Sequence, residues 1–337
     1  MKAMVLKKIA QVETKPLELQ DLPIPKPSSN EILLKVLACG ICHTELDEIE
    51  GRKKTKLPVI LGHEIIGYVE KCGSKTNKFK IGDRVGIAWI YSSCGKCKFC
   101  KSGRENLCPE FKATGCDADG GYAEYMVVPE NFAYMIPDAF SDLEAAPLMC
   151  AGAIGYRALK LTDMKDGENI GLYGFGASAH IVIQLVKHLY PNSKVFVFTR
   201  RRNDEPSKLA KEKGADWVGI SGDTSPEKID RAIDTTPVGI PVVEALRNLE
   251  KGGRLVINAI RKETKIPELD YAEHLWNEKE IKSVANITRK DVQEFLQLAA
   301  EIPIKSEIKL FKLEEANDAL IALKKGRYRG AGVLKIN

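Results

Sequence analysis

Nowhere in the 337 residues does an apolar run approach the roughly 20 positions a membrane-spanning helix requires, and the opening MKAMVLKKIA lacks the apolar core of a secretory signal. No internal repeat or low-complexity tract is present, which argues against a solenoid or a disordered array. Basic charge is not gathered into a patch. The formal net charge of +5 is spread along the chain, and the densest arginine run, TRRR at 199–202, has no nucleic-acid-binding motif beside it. Membrane, fibrous and nucleic-acid classes therefore drop out. Hydrophobic residues at 44% and charged residues at 29% fit a globular protein, and the cytoplasm is its expected compartment. A disulfide framework is also not expected, because the nine cysteines come without a secretory signal; clustered cysteines are read as metal ligands first.

The length suits two domains of roughly 100–200 residues each. Residues 1–149 contain short β-like runs, EILLKVLA, IIGYVEKCG, DRVGIAW and AEYMVV, separated by glycine and proline, the pattern of an all-β or barrel-like unit. From about 150 the pattern changes to strand, helix, strand: NIGLYG, ASAHIVIQLVKHLY, KVFVFT, then PSKLAKEKG. That order implies βαβ units and a parallel sheet over 150–286. Further strands are expected at 217–220, 231–236 and 252–259. From about 287 the chain is expected to return to the β domain, ending in the helix EEANDALIALKKG and the strand AGVLKI.

Cys94, Cys97, Cys100 and Cys108 are spaced C-x2-C-x2-C-x7-C, which lets tight turns wrap four thiolates into the closed tetrahedron of a structural zinc. Iron–sulfur ligation stays open beside it, since C-x2-C-x2-C also begins a ferredoxin run and Pro109 follows the fourth cysteine. Cys42, His63 and Cys150 lie far apart in sequence. Each alone reads most simply as a core residue, but cysteine, histidine and cysteine together are one ligand set of a catalytic zinc with its fourth position open.

The strand NIGLY runs into Gly174, Phe175, Gly176, Ala177, Ser178 and Ala179 and then an apolar helix, a GxGxxA turn in the context that dinucleotide binding requires. Glycine allows the tight turn and close approach to pyrophosphate, and the helix N-terminus offers free N–H groups. No carboxylate stands at the end of VFVFT to take a ribose 2′-hydroxyl. Thr199, Arg200, Arg201 and Arg202 are there instead, and guanidinium groups suit a 2′-phosphate, so NADP(H) is favoured over NAD(H).

The run Gly40 to Leu46 (GICHTEL), the motif GHEIIG at 62–67, the four-cysteine lobe and the glycine-rich turn occur in the order found in the medium-chain zinc alcohol dehydrogenases, and the resemblance covers essentially the whole chain. It implies an α/β two-domain fold: a GroES-like β-rich catalytic domain over 1–149, rejoined by 287–337, and a Rossmann doubly wound nucleotide-binding domain over 150–286. It implies two Zn²⁺ per chain, held by Cys42, His63 and Cys150 at the catalytic site and by Cys94, Cys97, Cys100 and Cys108 at the structural one. Thr44 matches the hydroxyl that bonds the substrate oxygen, Glu45 the acid that fixes the ligand histidine, and Glu64 a glutamate that assists ligand exchange. Asp47 stands where many members carry a relay histidine and is the candidate proton acceptor in its place. Trp89 resembles an aromatic lining the alcohol pocket, although an ordinary core tryptophan reads equally well.

The implied activity is reversible hydride transfer between a small alcohol and its aldehyde or ketone and NAD(P). The implied partners are that substrate and further copies of the chain, as a tetramer or dimer. A polyol, sugar or aryl-alcohol dehydrogenase of the same superfamily and a non-catalytic protein binding zinc and dinucleotide are the alternatives.

Overall fold

The strand Glu31–Ile41, EILLKVLACGI, is apolar on both faces over most of its length because sheet neighbours and packed side chains cover it, Lys35 alone being exposed. In this computed structural model, which describes residues 1–302 and 304–336, it is the middle of a seven-stranded sheet. Ile65–Cys72 pairs antiparallel with it along one edge, and Ala331–Lys335 and Tyr125–Pro129 pair antiparallel with its two halves along the other. Arg84–Ile87 and Ala133–Met135 extend the sheet on one side and Ile308–Lys312 on the other. The last pair is parallel, and the helix Ala316–Lys324 makes the crossover it needs. A smaller sheet, Leu17–Asp21, Lys2–Leu6 and Val59–Ile60, packs with it around Leu6, Ile32, Leu34, Ile49, Leu61 and Tyr122. Each fully buried Leu or Ile there contributes about 1.5–3 kcal/mol.

These elements form one unit, made of Met1–Cys150, Asn286–Ala300 and the chain from Lys305 on; Ala151–Ala285 with Glu301–Ile304 form a second. The stretch from 287 includes Pro303 and Asn337, which lie outside the described residues.

The second unit is a six-stranded parallel sheet in the order Trp217–Ile220, Val195–Thr199, Ile170–Tyr173, Ile229–Asp234, Leu249–Ile257, Glu280–Ser283. All five side chains of VFVFT are buried, as in a strand covered on both faces. From Ile170–Tyr173 the chain winds outward to one edge, then returns to place Ile229–Asp234 on the other side. That reversal opens a crevice beyond the carboxyl ends of these two strands.

Two strand boundaries differ from the sequence expectation. The strand expected at 231–236 runs Ile229–Asp234, because Asp234 Oδ1 accepts from Thr236 N (2.9 Å) and Thr236 Oγ1 (2.7 Å) and turns the chain there. The strand expected from 252 begins at Leu249, which is buried and pairs with Ile229 of the neighbouring strand.

Candidate active site

The central strand ends at Cys42, which holds extended backbone angles (φ −121°, ψ 163°) just before the helix His43–Ile49. Its amide donates to Glu45 Oε2 at 2.8 Å, the reciprocal half of a capping box. The other oxygen of that carboxylate lies 2.6 Å from His63 Nδ1, so one buried side chain ties together two candidate ligands. His63 leaves the turn before Ile65–Cys72. Gly62 makes that turn at φ +96°, where a Cβ would stand 2.4 Å from Tyr122 Cδ1, so glycine alone fits. Cys150 follows the short helical turn Ala146–Met149.

The ligand atoms of Cys42, His63, Glu64 and Cys150 all lie within 4.8 Å of one another. Both ring nitrogens of His63 are buried without a well-formed hydrogen bond among the described residues, Nδ1 lying against Glu45 Oε1 and Nε2 left for another partner. Leaving such a group unsatisfied costs about 1–3 kcal/mol, which a ligated cation would recover. Electrostatics point the same way. A hydrogen bond from Cys150 draws the Cys42 thiol well below its ordinary range, while Cys150 is pushed well above its own by that shared bond and by burial. Burial opposes a charge on His63, but Glu45 and Cys42 outweigh it and raise the imidazole well above its usual range. Burial, with the negative charge of Cys42 behind it, raises Glu64 well above the carboxylate range. A site so rich in acids and thiols is one that a divalent cation relieves.

Thr44 is buried, and its Oγ1 accepts from Cys42 Sγ at 3.6 Å. Asp47 is buried with Oδ1 at 2.6 Å from Arg52 Nε. Arg52 also reaches Glu50, which accepts from Lys324 Nζ at 2.7 Å and Val12 N at 3.3 Å. Trp89 meets the His63 ring edge-on, centroids 4.8 Å apart, and Lys53 Nζ stands 5.3 Å from the indole centre. Glu48 escaped the sequence reading: it is wholly buried, and among the described residues neither carboxyl oxygen has a well-formed hydrogen bond, the Cys116 thiol being the group that bears on it. Its spacing of three from Glu45 on one helix face was the available signal.

The second cluster is local. Cys94, Cys97, Cys100 and Cys108 present four thiols within 4.8 Å of one another. Amides of the loop point at the sulfurs: Cys97 N to Cys94 Sγ (3.4 Å), Cys100 N to Cys97 Sγ (3.5 Å) and Cys94 N to Cys108 Sγ (3.5 Å). Such N–H···S bonds stabilise thiolates, the form that binds metal.

In the second unit, the strand Ile170–Tyr173 delivers Gly174 into the crevice at φ +85°, and a Cβ there would stand 2.7 Å from Thr235 Oγ1. Gly176 has open space around it, and Ala177 and Ser178 lead into the helix Ala179–Leu189. This turn can take a pyrophosphate at the helix N-terminus. Thr199 ends the neighbouring strand with its hydroxyl turned inward, 2.8 Å from Ser207 Oγ and 3.0 Å from Arg201 O. Arg200 and Arg201 are exposed; Arg202 pairs with Asp223 at 2.7 Å, whereas Arg200 and Arg201 have no ion-pair partner among the described residues.

Residues 28–138 match the alcohol dehydrogenase GroES-like domain. The probable alcohol dehydrogenase AdhA of Mycobacterium tuberculosis is 43% identical, the match covering 100% of this chain and 97% of that one. An alcohol dehydrogenase of Geobacillus stearothermophilus is 39% identical over 96% of this chain and 97% of its own length. Among solved structures, CAD from Helicobacter pylori complexed with NADP(H) superposes with a TM-score of 0.88 at 25% identity, covering 99% of each chain. The two-domain α/β architecture, the matched domain and the relatives' full-length identity agree, and the chain belongs to the medium-chain alcohol dehydrogenase family.

Proposed function

We propose that this protein is a zinc-dependent alcohol dehydrogenase, catalysing reversible hydride transfer between a small primary or secondary alcohol and its aldehyde or ketone with NAD(P). The observation that carries this reading is the convergence of Cys42, His63, Glu64 and Cys150, whose ligand atoms lie within 4.8 Å of one another. Cysteine, histidine and cysteine suit a zinc whose fourth position is left for substrate, while the four thiols of the 94–108 lobe suit a closed structural zinc. A tetrahedron with arms of about 2.3 Å has edges of about 3.8 Å, and Cys94 Sγ and Cys100 Sγ stand 3.9 Å apart. An iron–sulfur cluster would spread its thiolates further.

The catalytic ion, when bound, supplies a Lewis acid for the substrate oxygen, and the dinucleotide supplies or accepts the hydride. The protein's own contributions follow from the placements above. Glu45 fixes the His63 tautomer through Nδ1, leaving Nε2 to ligate. Thr44 bonds the substrate hydroxyl and passes its proton on; Asp47, whose carboxylate is joined to the exposed Arg52, is the acceptor at the end of that path. Glu64, within reach of the ligand atoms, takes a place among them when substrate and water exchange. Trp89 shields the site from water at the edge of His63.

The N–H groups of Gly174 to Ala179 would hold the pyrophosphate, and Arg200 and Arg201, which have no ion-pair partner among the described residues, would hold a 2′-phosphate, which favours NADP(H). Assembly as a tetramer or dimer belongs to the same reading. In its support, Glu280–Ser283 lies at the edge of the second unit's sheet with all four residues exposed. Cytoplasmic placement rests on the need to keep two sets of ligand thiols reduced.

The test is zinc and iron per chain, measured together with NADPH and NADH oxidation on short, branched and aryl aldehydes. Two zincs and aldehyde-dependent oxidation are expected. One zinc, or iron, with no turnover of any aldehyde or ketone overturns the reading.

A further inference from the structure

Lys53 follows the helix His43–Ile49 by a few residues, its amide donating to Asp47 O at 3.0 Å. That bond draws the GRKKTK loop back over the helix and brings the lysine to Trp89. The ammonium stands 5.3 Å from the indole centre, and the indole in turn stands 4.8 Å from the His63 ring. Laid end to end, these separations put the ammonium at most about 10 Å from the imidazole centre. Lys53 is half-buried, yet among the described residues no carboxylate pairs with it and no oxygen accepts from it. A ring face alone holds an ammonium by about 0.5–1 kcal/mol at an exposed site and about 2 when desolvated, leaving its N–H donors for another partner.

The titratable groups that bear on Lys53 are Glu48 and Cys116. Neither is ion-paired with it among the described residues. Burial, helped by the charge of Glu45, pushes the Glu48 carboxyl well above its ordinary range, and burial pushes the Cys116 thiol up to about 11. Lys53 thus stands over Trp89, which in turn meets His63, with no ion-pair partner among the described residues.

We propose that Lys53 is a specificity-determining residue of that pocket, selecting aldehydes and alcohols that carry a carboxylate a few carbons from the reacting carbon. The proposal rests on the dehydrogenase reading of the same site. The chemistry is unaltered: hydride passes from the reduced nicotinamide to the carbonyl carbon, a proton goes to its oxygen, and the distal carboxylate emerges unchanged. Its role is to take the charge-assisted hydrogen bonds that Lys53 has not spent within the protein.

Butanal and 4-oxobutanoate have the same chain length and differ in the terminal carboxylate, so steady-state reduction of the two by the zinc-loaded enzyme isolates the effect. Native enzyme is expected to favour 4-oxobutanoate at least tenfold in kcat/KM. Lys53→Met is expected to cut that ratio at least tenfold through the KM for 4-oxobutanoate, and Lys53→Arg to keep it. Added salt should narrow the native ratio as screening weakens the contact. A native ratio near one overturns the proposal, and so does an unchanged ratio in Lys53→Met, while butanal turnover leaves the dehydrogenase reading standing. Absence of turnover with either substrate and across the wider aldehyde panel sinks both.

Discussion

Glu45→Ala removes one carboxylate from two partners at once, the Cys42 amide and His63 Nδ1. Each buried N–H left unpaired costs about 1–3 kcal/mol, so the pair together puts about 2–6 kcal/mol at risk, shared between folding and metal binding. Loss of a carboxylate that orients a ligating histidine lowers metal affinity or activity about 10–100-fold, or about 1.4–2.7 kcal/mol. Glu45→Gln keeps an oxygen for the imidazole but turns a donor toward the Cys42 amide, and an intermediate loss is expected. Zinc competition with a chromophoric chelator reads the effect directly. The four-cysteine lobe serves as an internal control, since Glu45 touches none of its thiols: one zinc per chain should weaken while the other holds. Equal weakening of both, or catalytic-site affinity within twofold of native, would refute the reasoning.

Arg200→Ala with Arg201→Ala should raise the KM for NADPH at least tenfold and leave that for NADH within about twofold, since a 2′-phosphate gives two arginines charge-assisted bonds that a hydroxyl does not; equal effects on both cofactors would remove the arginines from phosphate recognition. Asp47→Asn should lower kcat by about 10²-fold at neutral pH, the lower end of general-base contributions, with a smaller deficit at high pH where solvent base takes the proton; a loss that is flat with pH takes Asp47 off the proton path. Glu50 gives a stability test. Burial would raise its carboxyl, but hydrogen bonds from Lys324, Arg52 and the Val12 amide prevail and hold it below the usual range. A depressed folded-state pKa contributes stability above the unfolded-state value and loses it as pH falls through the folded one. Glu50→Gln should therefore cost about 1.5–3 kcal/mol at pH 7, read as a lower Tm, and the gap to native should close in acid. A gap independent of pH would mean the carboxylate's charge is not what matters.

What the sequence made legible was whatever is encoded locally. The spacing of Cys94, Cys97, Cys100 and Cys108 and the turn from Gly174 to Ala179 each fit within one loop, and the structure places each as a compact group. Cys42, His63 and Cys150 are brought together by three different parts of the first unit, and spacing alone carried no information about that; the resemblance to a family supplied it. Features that depend on side-chain direction were invisible: the edge of Trp89 on His63, the ammonium of Lys53 over Trp89, and the burial of the Glu48 carboxyl. The helices Ala151–Thr162, Ile240–Asn248 and Arg289–Glu301 went unread as well. In AGAIGYRALKLT the two glycines lower helix propensity and blur the apolar stripe, and tertiary packing decides the outcome.

The strand Ala331–Lys335 sits inside the first unit's sheet, with Gly332 opposite Ile41, so the closing piece of that unit is translated long after the strand it must join. A chain leaving the ribosome presents Ala151–Ala285 complete, free to fold as a continuous parallel sheet, while the Ala38–Ile41 half of the central strand still lacks its partner along one edge. Pairing between such distant segments is slow to form, and an unfilled edge invites foreign strands. During that interval the thiols of Cys94, Cys97, Cys100 and Cys108, gathered in one loop, can already meet an ion, whereas Cys42 waits at the end of an unfinished sheet. The order of translation thus lets the self-contained loop form before the late strand completes the sheet on which Cys42 is carried.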